Sequence, residues 1–203
     1  MKREEIAELH YITAIDNVAS IVQRGILSHE SSRRLHHRSV ASAEVQARRA
    51  SRKIPKGLRL HQYANLYFNG RNAMLYRIIN DYDEARRVPA EELTLLRVST
   101  EVLDLPGVVI TDINAAADVA PRWFTVDEGI AMLDHSAVFA QYWNSYEHKQ
   151  RMMAEVLVPH RIAPDFIQGA YTASDAAAAN LSQVIPTLEV EVSPYMFFQG
   201  PKP

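Results

Sequence analysis

One acid interrupts an apolar run. Glu155 stands inside Met152-Met153-Ala154-Glu155-Val156-Leu157-Val158-Pro159. The period of a strand puts Glu155 and Leu157 on one face, so a carboxylate shares a face with an apolar side chain. Two arrangements explain this: an edge-strand glutamate in water that discourages strand pairing, or a carboxylate held in a cleft. The other residues able to do chemistry are His10, Tyr11 and Thr13 in a strand, Arg48, Arg49 and Arg52 on a helix, and Asn69 with Arg71 behind an aromatic strand. Familiar cofactor signals are absent. There is no glycine-rich dinucleotide fingerprint, no phosphate-binding loop ending in Lys-Ser/Thr and no Gly-x-Ser-x-Gly elbow. His29-Glu30 begins like a zinc-protease helix, but Arg33 stands where the second histidine belongs. His36-His37 reads as a pair of exposed loop histidines, so no metal is expected.

The elements that must position these residues follow from spacing and caps. Leu9 to Ala14 is rich in strand formers. A helix from about Asn17 to Arg24 follows, with Gly25 as terminator. Ser42 is placed to cap a helix through Val45 to Arg52, stopped by Pro55 and Gly57. Leu66 to Phe68 is a short strand, while Met74 to Ile79 fits helix or strand equally. Strands are expected at Leu93 to Val98, Val108 to Thr111, Ala154 to Val158, Phe166 to Thr172 and Leu188 to Val192, with a helix over Ser174 to Val184. Asn114 to Arg151, which holds Trp123 and Trp143, is mixed and partly helical. The expected fold is a single α+β domain over residues 1–203 with a mixed or antiparallel sheet.

The chain has 203 residues, 47% of them hydrophobic, and can bury a sizeable core. It has no cysteine, which excludes disulfides, thiolate metal sites and a thiol nucleophile. No apolar stretch approaches the roughly 18–20 residues of a membrane span, and the N-terminus lacks the apolar core of a signal peptide. A cytoplasmic, monomeric protein is expected. The net charge of −2 is unevenly spread. Between Arg24 and His61 ten basic residues face two acids, a local charge of +8 that leaves −10 for the remainder. Such a block suits phosphates of a nucleotide or a nucleic acid, or simply forms a solvated basic segment.

The sequence also resembles a known family. Leu9-His10-Tyr11-Ile12-Thr13-Ala14-Ile15-Asp16-Asn17-Val18, Ile21 to Leu27, Gln46-Ala47-Arg48-Arg49, Leu66-Tyr67-Phe68-Asn69 with Arg71 to Tyr76, and Arg151 to Val158 with Glu155 are similar, in order, to the DarT DNA ADP-ribosyltransferase toxins. The resemblance runs to the Tyr195 to Phe198 tail. It implies an ADP-ribosyltransferase-like split, mostly antiparallel β-sheet core with flanking helices, clamping NAD as co-substrate without a metal.

It further implies Glu155 and Arg49 as catalytic residues. His10, Tyr11, Ile12, Thr13, Ser20, Ser28 and Arg49 would contact NAD. The order His10-Tyr11 departs from the family's usual Tyr-His, and strand neighbours face opposite ways, so either His10 or Tyr11 enters the cleft. Trp123, Tyr142 and Trp143 would stack on unpaired bases. The implied partners are single-stranded DNA and a DarG-like macrodomain antitoxin. The acceptor base, thymidine or guanosine, stays open. So do an ADP-ribosyl- or 2′-phosphotransferase acting on RNA or protein, a non-catalytic nucleic-acid-binding domain and, more distantly, a metal hydrolase built on the histidines.

Overall fold

The computed structural model describes residues 1–201. Ten strands form: β1 Leu9–Ala14, β2 Ile26–Leu27, β3 Tyr63–Tyr67, β4 Leu93–Val98, β5 Val109–Thr111, β6 Trp123–Phe124, β7 Glu155–Pro159, β8 Arg161–Ile162, β9 Ile167–Thr172 and β10 Val190–Val192. Eight of them make one sheet in the order β10-β9-β4-β1-β3-β7-β5-β6, and β2 pairs with β8 in a small second sheet. Every pairing is antiparallel except β9 with β10. Eight short α-helices flank the strands: α1 Val18–Arg24, α2 His29–Ser32, α3 Ala43–Ser51, α4 Ala73–Ile79, α5 Val126–Met132, α6 His135–Val138, α7 Tyr146–Arg151 and α8 Asp175–Val184.

Alternation along the strands divides the core between the two sheet faces. Leu9, Leu66, Leu96, Val98, Val156 and Val158 pack in one cluster with residues of α1, α5 and α8. Ile12, Tyr67, Leu93 and Leu95 pack in the other with Leu75 and Ile78 of α4 and with Phe197. The ambiguous Met74 to Ile79 segment becomes α4 because the Asn72 side chain accepts hydrogen bonds from Met74 N and Leu75 N. That cap supplies the helix start which periodicity alone did not select. Helix α1 ends as expected at Gly25. Its φ of +84°, and the Ile162 carbonyl oxygen lying where a Cβ would stand, leave room for no other residue.

Two features of the sheet shape the region around Glu155. β7 lies between β3 and β5, so Glu155 is not on an edge strand. And β1 pairs with β4 along all six of its residues, but with β3 only at His10 opposite Tyr67. Beyond that pair the two strands diverge.

Candidate active site

The gap between β1 and β3 is the mouth of a cavity of about 790 Å³, within the range of small-molecule sites. Tyr11, Ile12 and Thr13 line it from β1, and Tyr63, Asn65 and Tyr67 from β3. Thr13 Oγ1 accepts from Asn17 Nδ2 at 3.1 Å. The same Asn17 pins the loop at Arg38 through both backbone groups, donating to Arg38 O at 2.8 Å and accepting from Arg38 N at 2.9 Å. The loop from Leu35 to Ser42 and helix α3 thereby form one wall. Arg38, Arg48 and Arg49 give that wall its positive charge, the complement of a pyrophosphate.

At the base of the cavity Arg49 meets Glu155. Arg49 Nη1 donates to Glu155 Oε1 at 3.3 Å and to Oε2 at 3.0 Å, and Ala115 N donates to Oε1 at 3.0 Å. The backbone N–H of Glu155 donates to Thr111 Oγ1 at 3.2 Å on the neighbouring β5. Glu155 is fully buried, so its carboxylate depends on these donors in place of water. Opposite it in register on β3 is Tyr67. Burial, with the Glu155 charge added, pushes the Tyr67 phenol far above its ordinary value, so it stays a neutral O–H, donating to Met74 Sδ at 3.0 Å. Tyr11 is raised by burial as well.

The structure separates the expected site residues. Tyr11, Ile12, Thr13, Ser20 and Arg49 line the cavity, and Glu155 lies beneath Arg49. His10 corrects the expectation that it touches the co-substrate. It lines none of the cavity: Nε2 is 3.2 Å from Glu8 Oε1, and the ring packs directly against Gly70. Ser28 is a second correction: its hydroxyl caps α2, accepting from Ser31 N at 3.2 Å, and lines none of the cavity. Trp123 lies on the edge strand β6, half-buried against the cluster of Ile54, Leu60 and Leu157, and lines none of the cavity. Tyr142, 72% exposed, and the half-buried Trp143 line none of the cavity; Trp143 packs edge-on against Tyr76 at 5.3 Å, and Nζ of the lining residue Lys149 is 5.9 Å from its ring centroid.

Several lining residues gave no signal in the sequence. Tyr63 and Asn65 look like ordinary strand residues until β1 and β3 part. His29 and His61, which lie 32 positions apart in the chain, stack with ring centroids 4.1 Å apart at the cavity wall. Burial, and then the positive charges around each, hold both imidazoles below their ordinary value, so they are neutral near pH 7. His61 Nε2 lies 3.1 Å from Gln46 Oε1. His36 and His37 also border the cavity, but no group of three metal-ligating side chains occurs among the described residues. Arg71, expected only as a motif residue, is a buried clasp. It donates from Nε to Tyr195 O at 2.9 Å and from Nη1 to Gln141 O, beneath the rings of Tyr195 and Phe198.

Comparison with known proteins fits this geometry. The profile of the family described as "ssDNA thymidine ADP-ribosyltransferase, DarT" matches residues 10–198. The chain belongs to the DarT family. A DNA ADP-ribosyl transferase–DNA ADP-ribosyl glycohydrolase fusion protein of Thermosipho africanus is 32% identical over 190 residues, covering 92% of this chain and 48% of the relative. The chain therefore spans about half the length of that DarT relative. A DNA ADP-ribosyl transferase of a Thermus species is 34% identical over 165 residues, 78% of each chain. Among solved structures, Thermosipho africanus DarTG in complex with ADP-ribose superposes with a TM-score of 0.86 at 31% identity, over 96% of this chain and 52% of that one. Thermus DarT in complex with ADP-ribosylated single-stranded DNA gives 0.82 at 27% identity, over 97% and 100%. The same DarT with NAD⁺ gives 0.77 at 25% identity, over 95% and 98%. The split, mostly antiparallel sheet is thus the DarT ADP-ribosyltransferase fold.

Proposed function

We propose that the chain transfers ADP-ribose from NAD to thymidine in single-stranded DNA and releases nicotinamide. The observation that carries this is the Arg49–Glu155 pair at the base of a cleft between two diverging strands. Its support is the family match and the solved relatives bound to NAD⁺ and to ADP-ribosylated DNA.

The chemistry suits that pair. The bond from ribose C1′ to the nicotinamide nitrogen breaks with its electron pair staying on the leaving ring, so positive charge develops on the sugar. A fixed carboxylate below the ribose stabilises that charge, and Arg49 and Ala115 N hold Glu155 still for the task. Thymine in a nucleoside has one N–H. As that nitrogen bonds to C1′ its proton must leave, and Glu155 is the carboxylate placed to receive it. Arg49, which donates to both carboxylate oxygens, positions Glu155 and binds phosphate. The thymine N–H is engaged in a duplex, which accounts for a single-stranded substrate. The exposed Tyr142, and Trp143 beside the lining residue Lys149, offer stacking surfaces for flanking bases.

A toxin acting on DNA calls for a partner that reverses it. The Thermosipho relative is named as a transferase fused to a glycohydrolase, and a DarG-like macrodomain antitoxin would serve this chain in the same way. Among the described residues no helix is long and apolar enough to cross a membrane. NAD and DNA meet in the cytoplasm, where this reading places the protein.

The test is incubation with NAD and single-stranded oligonucleotides of one base each, read by intact mass. One ADP-ribose added to the thymidine strand, absent with Glu155→Ala, is the expected result. Labelling of a guanosine strand alone would reassign the base. No label on any strand would overturn the reading.

A further inference from the structure

Glu155 is held by a segment that is itself held by arginines. Residues Asn114 to Ala117 belong to no helix or strand, yet they run directly beside the carboxylate. Their carbonyls are taken up by helix α3 and its end. Arg52 donates from Nη1 to Ala115 O at 2.8 Å and from Nη2 to Ala117 O, and Arg48 donates from Nε to Ala116 O at 3.1 Å. Three successive carbonyls thus receive guanidinium hydrogen bonds, while the Ala115 N–H is committed to Glu155 Oε1. Asn114 closes the turn, accepting from Ala116 N at its side chain and from Ala117 N at its carbonyl. The same strap borders the cavity through Asn114, Ala116 and Ala117.

Arg52 forms no ion pair with any acid among the described residues; its bonds go to neutral carbonyls. A half-buried guanidinium spent on a loop backbone costs desolvation without the return of an opposite charge. A role in solubility does not explain that arrangement. Arg48, Arg49 and Arg52 fall within one turn of chain, so the strap and the Arg49–Glu155 contact are anchored to the same short piece of helix.

We propose that Arg48 and Arg52 are positioning residues for the transfer step, acting through the strap to fix Oε1 of Glu155 and the wall at which the acceptor base arrives. This rests on the transferase reading above. The planar fork of Arg52 spans the carbonyls of residues 115 and 117 together, which the single ammonium of a lysine does not reproduce.

The experiment uses the full chain with Arg52→Lys, Arg48→Lys and Arg52→Ala, in three measurements. Calorimetry gives NAD affinity and stoichiometry. Intact mass gives the rate of ADP-ribose transfer to a thymidine oligonucleotide. Chromatography gives the ratio of ADP-ribose on DNA to ADP-ribose lost to water. Arg52→Lys is expected to bind NAD with unchanged stoichiometry and an affinity within about twofold, while transfer slows by about 10- to 100-fold, the scale of a small misplacement at a reacting centre. The share lost to water is expected to rise, and a loss of folded protein would leave that ratio unmoved. Arg48→Lys, touching one carbonyl, is expected to fall between. Ethylguanidinium added to Arg52→Ala is expected to restore part of the rate, and ethylammonium to restore none. Transfer by Arg52→Lys at the wild-type rate, or a fall in rate with an unchanged ratio, would overturn the proposal. Absence of transfer by the wild-type protein would instead remove the transferase reading and this inference with it.

Discussion

Arg49 Nη1 reaches both carboxylate oxygens of Glu155, at 3.3 Å and 3.0 Å, across 106 residues of chain. Both side chains are buried, and the contact joins helix α3 to the centre of the sheet. One contact therefore ties helix to sheet and, under the proposed function, also orients the reacting carboxylate; the two roles can be measured separately.

Replacing Glu155 with alanine leaves Arg49 charged and buried with no carboxylate. The expected cost is about 3–5 kcal/mol in chemical denaturation, together with complete loss of ADP-ribose transfer. Glu155→Gln retains an acceptor for Arg49, so it is expected to recover part of the stability and none of the transfer. Equal stability for the two variants would show that the lost charge partner is not what the fold feels.

Glu8, Arg97 and Tyr171 form a second polar cluster with His10, outside the cavity lining. Burial alone would raise the Glu8 carboxyl, but hydrogen bonds from His10 and Arg97 outweigh it and hold the group at about 2. A carboxyl depressed in the fold contributes stability that is complete above its unfolded value and is lost as pH falls toward the folded one. The contribution is on the order of 2 kcal/mol after allowance for its partial exposure. Melting curves between pH 5 and pH 2 (roughly the span of the two values) are expected to fall more steeply for the wild type than for Glu8→Gln.

The stacked pair of His29 and His61 predicts a second pH effect. Both imidazoles are lowered, first by burial and then by neighbouring cations that include Arg49. A histidine lowered in the fold binds its proton more readily when unfolded, so stability falls as pH drops below about 6.5. NAD affinity, followed by calorimetry from pH 8 to pH 5.5 (about the range in which histidine titrates), is expected to change across that window. The change should be smaller in His61→Asn, and an identical profile in that variant would exclude the pair as its source.

Arg71 binds the carbonyls of Gln141 and Tyr195 under three aromatic rings, those of Tyr142, Tyr195 and Phe198. Arg71→Lys loses the planar stacking and the fork, and is expected to cost about 2–3 kcal/mol. Hydrogen exchange should show the loss first at Met196 to Gln199, whose amides lie in the turn the clasp secures.

Tyr142 and Trp123 offer a contrast between two exposed-looking aromatics. Tyr142→Ala is expected to weaken oligonucleotide binding by about 1–3 kcal/mol, the usual value of one stacked base, and to leave NAD affinity unchanged. Trp123→Ala, which removes packing on Ile54 and Leu60, is expected to lower the melting temperature and leave DNA affinity unchanged. Fluorescence anisotropy over a salt series gives both affinities.

Much of this protein was legible from local pattern. The strand at Leu9 to Ala14, the helix closed by Gly25, the helix carrying Arg48 and Arg49, and the helix after Ser174 all carry caps or periodicity that act within a few residues. Glu155 stood out because an acid inside an apolar run requires an explanation; the basic helix marked Arg48, Arg49 and Arg52 alike, and only the family resemblance singled out Arg49. Tertiary structure decided the rest. It placed β7 between β3 and β5, which made Glu155 a buried group instead of an edge residue. It let β1 and β3 meet at His10 and Tyr67 alone, which opened the cavity along Tyr11, Ile12 and Thr13 and kept His10 in the closed part of the pairing. It gave Ser28 to a helix cap and set Trp123 half-buried on the edge strand β6, and it brought His29 to His61 and Arg52 to the strap. Turns and caps are energies between near neighbours, so the sequence states them directly. Which strands lie side by side is set by the burial of both faces of the whole sheet, and no local run of residues contains that balance.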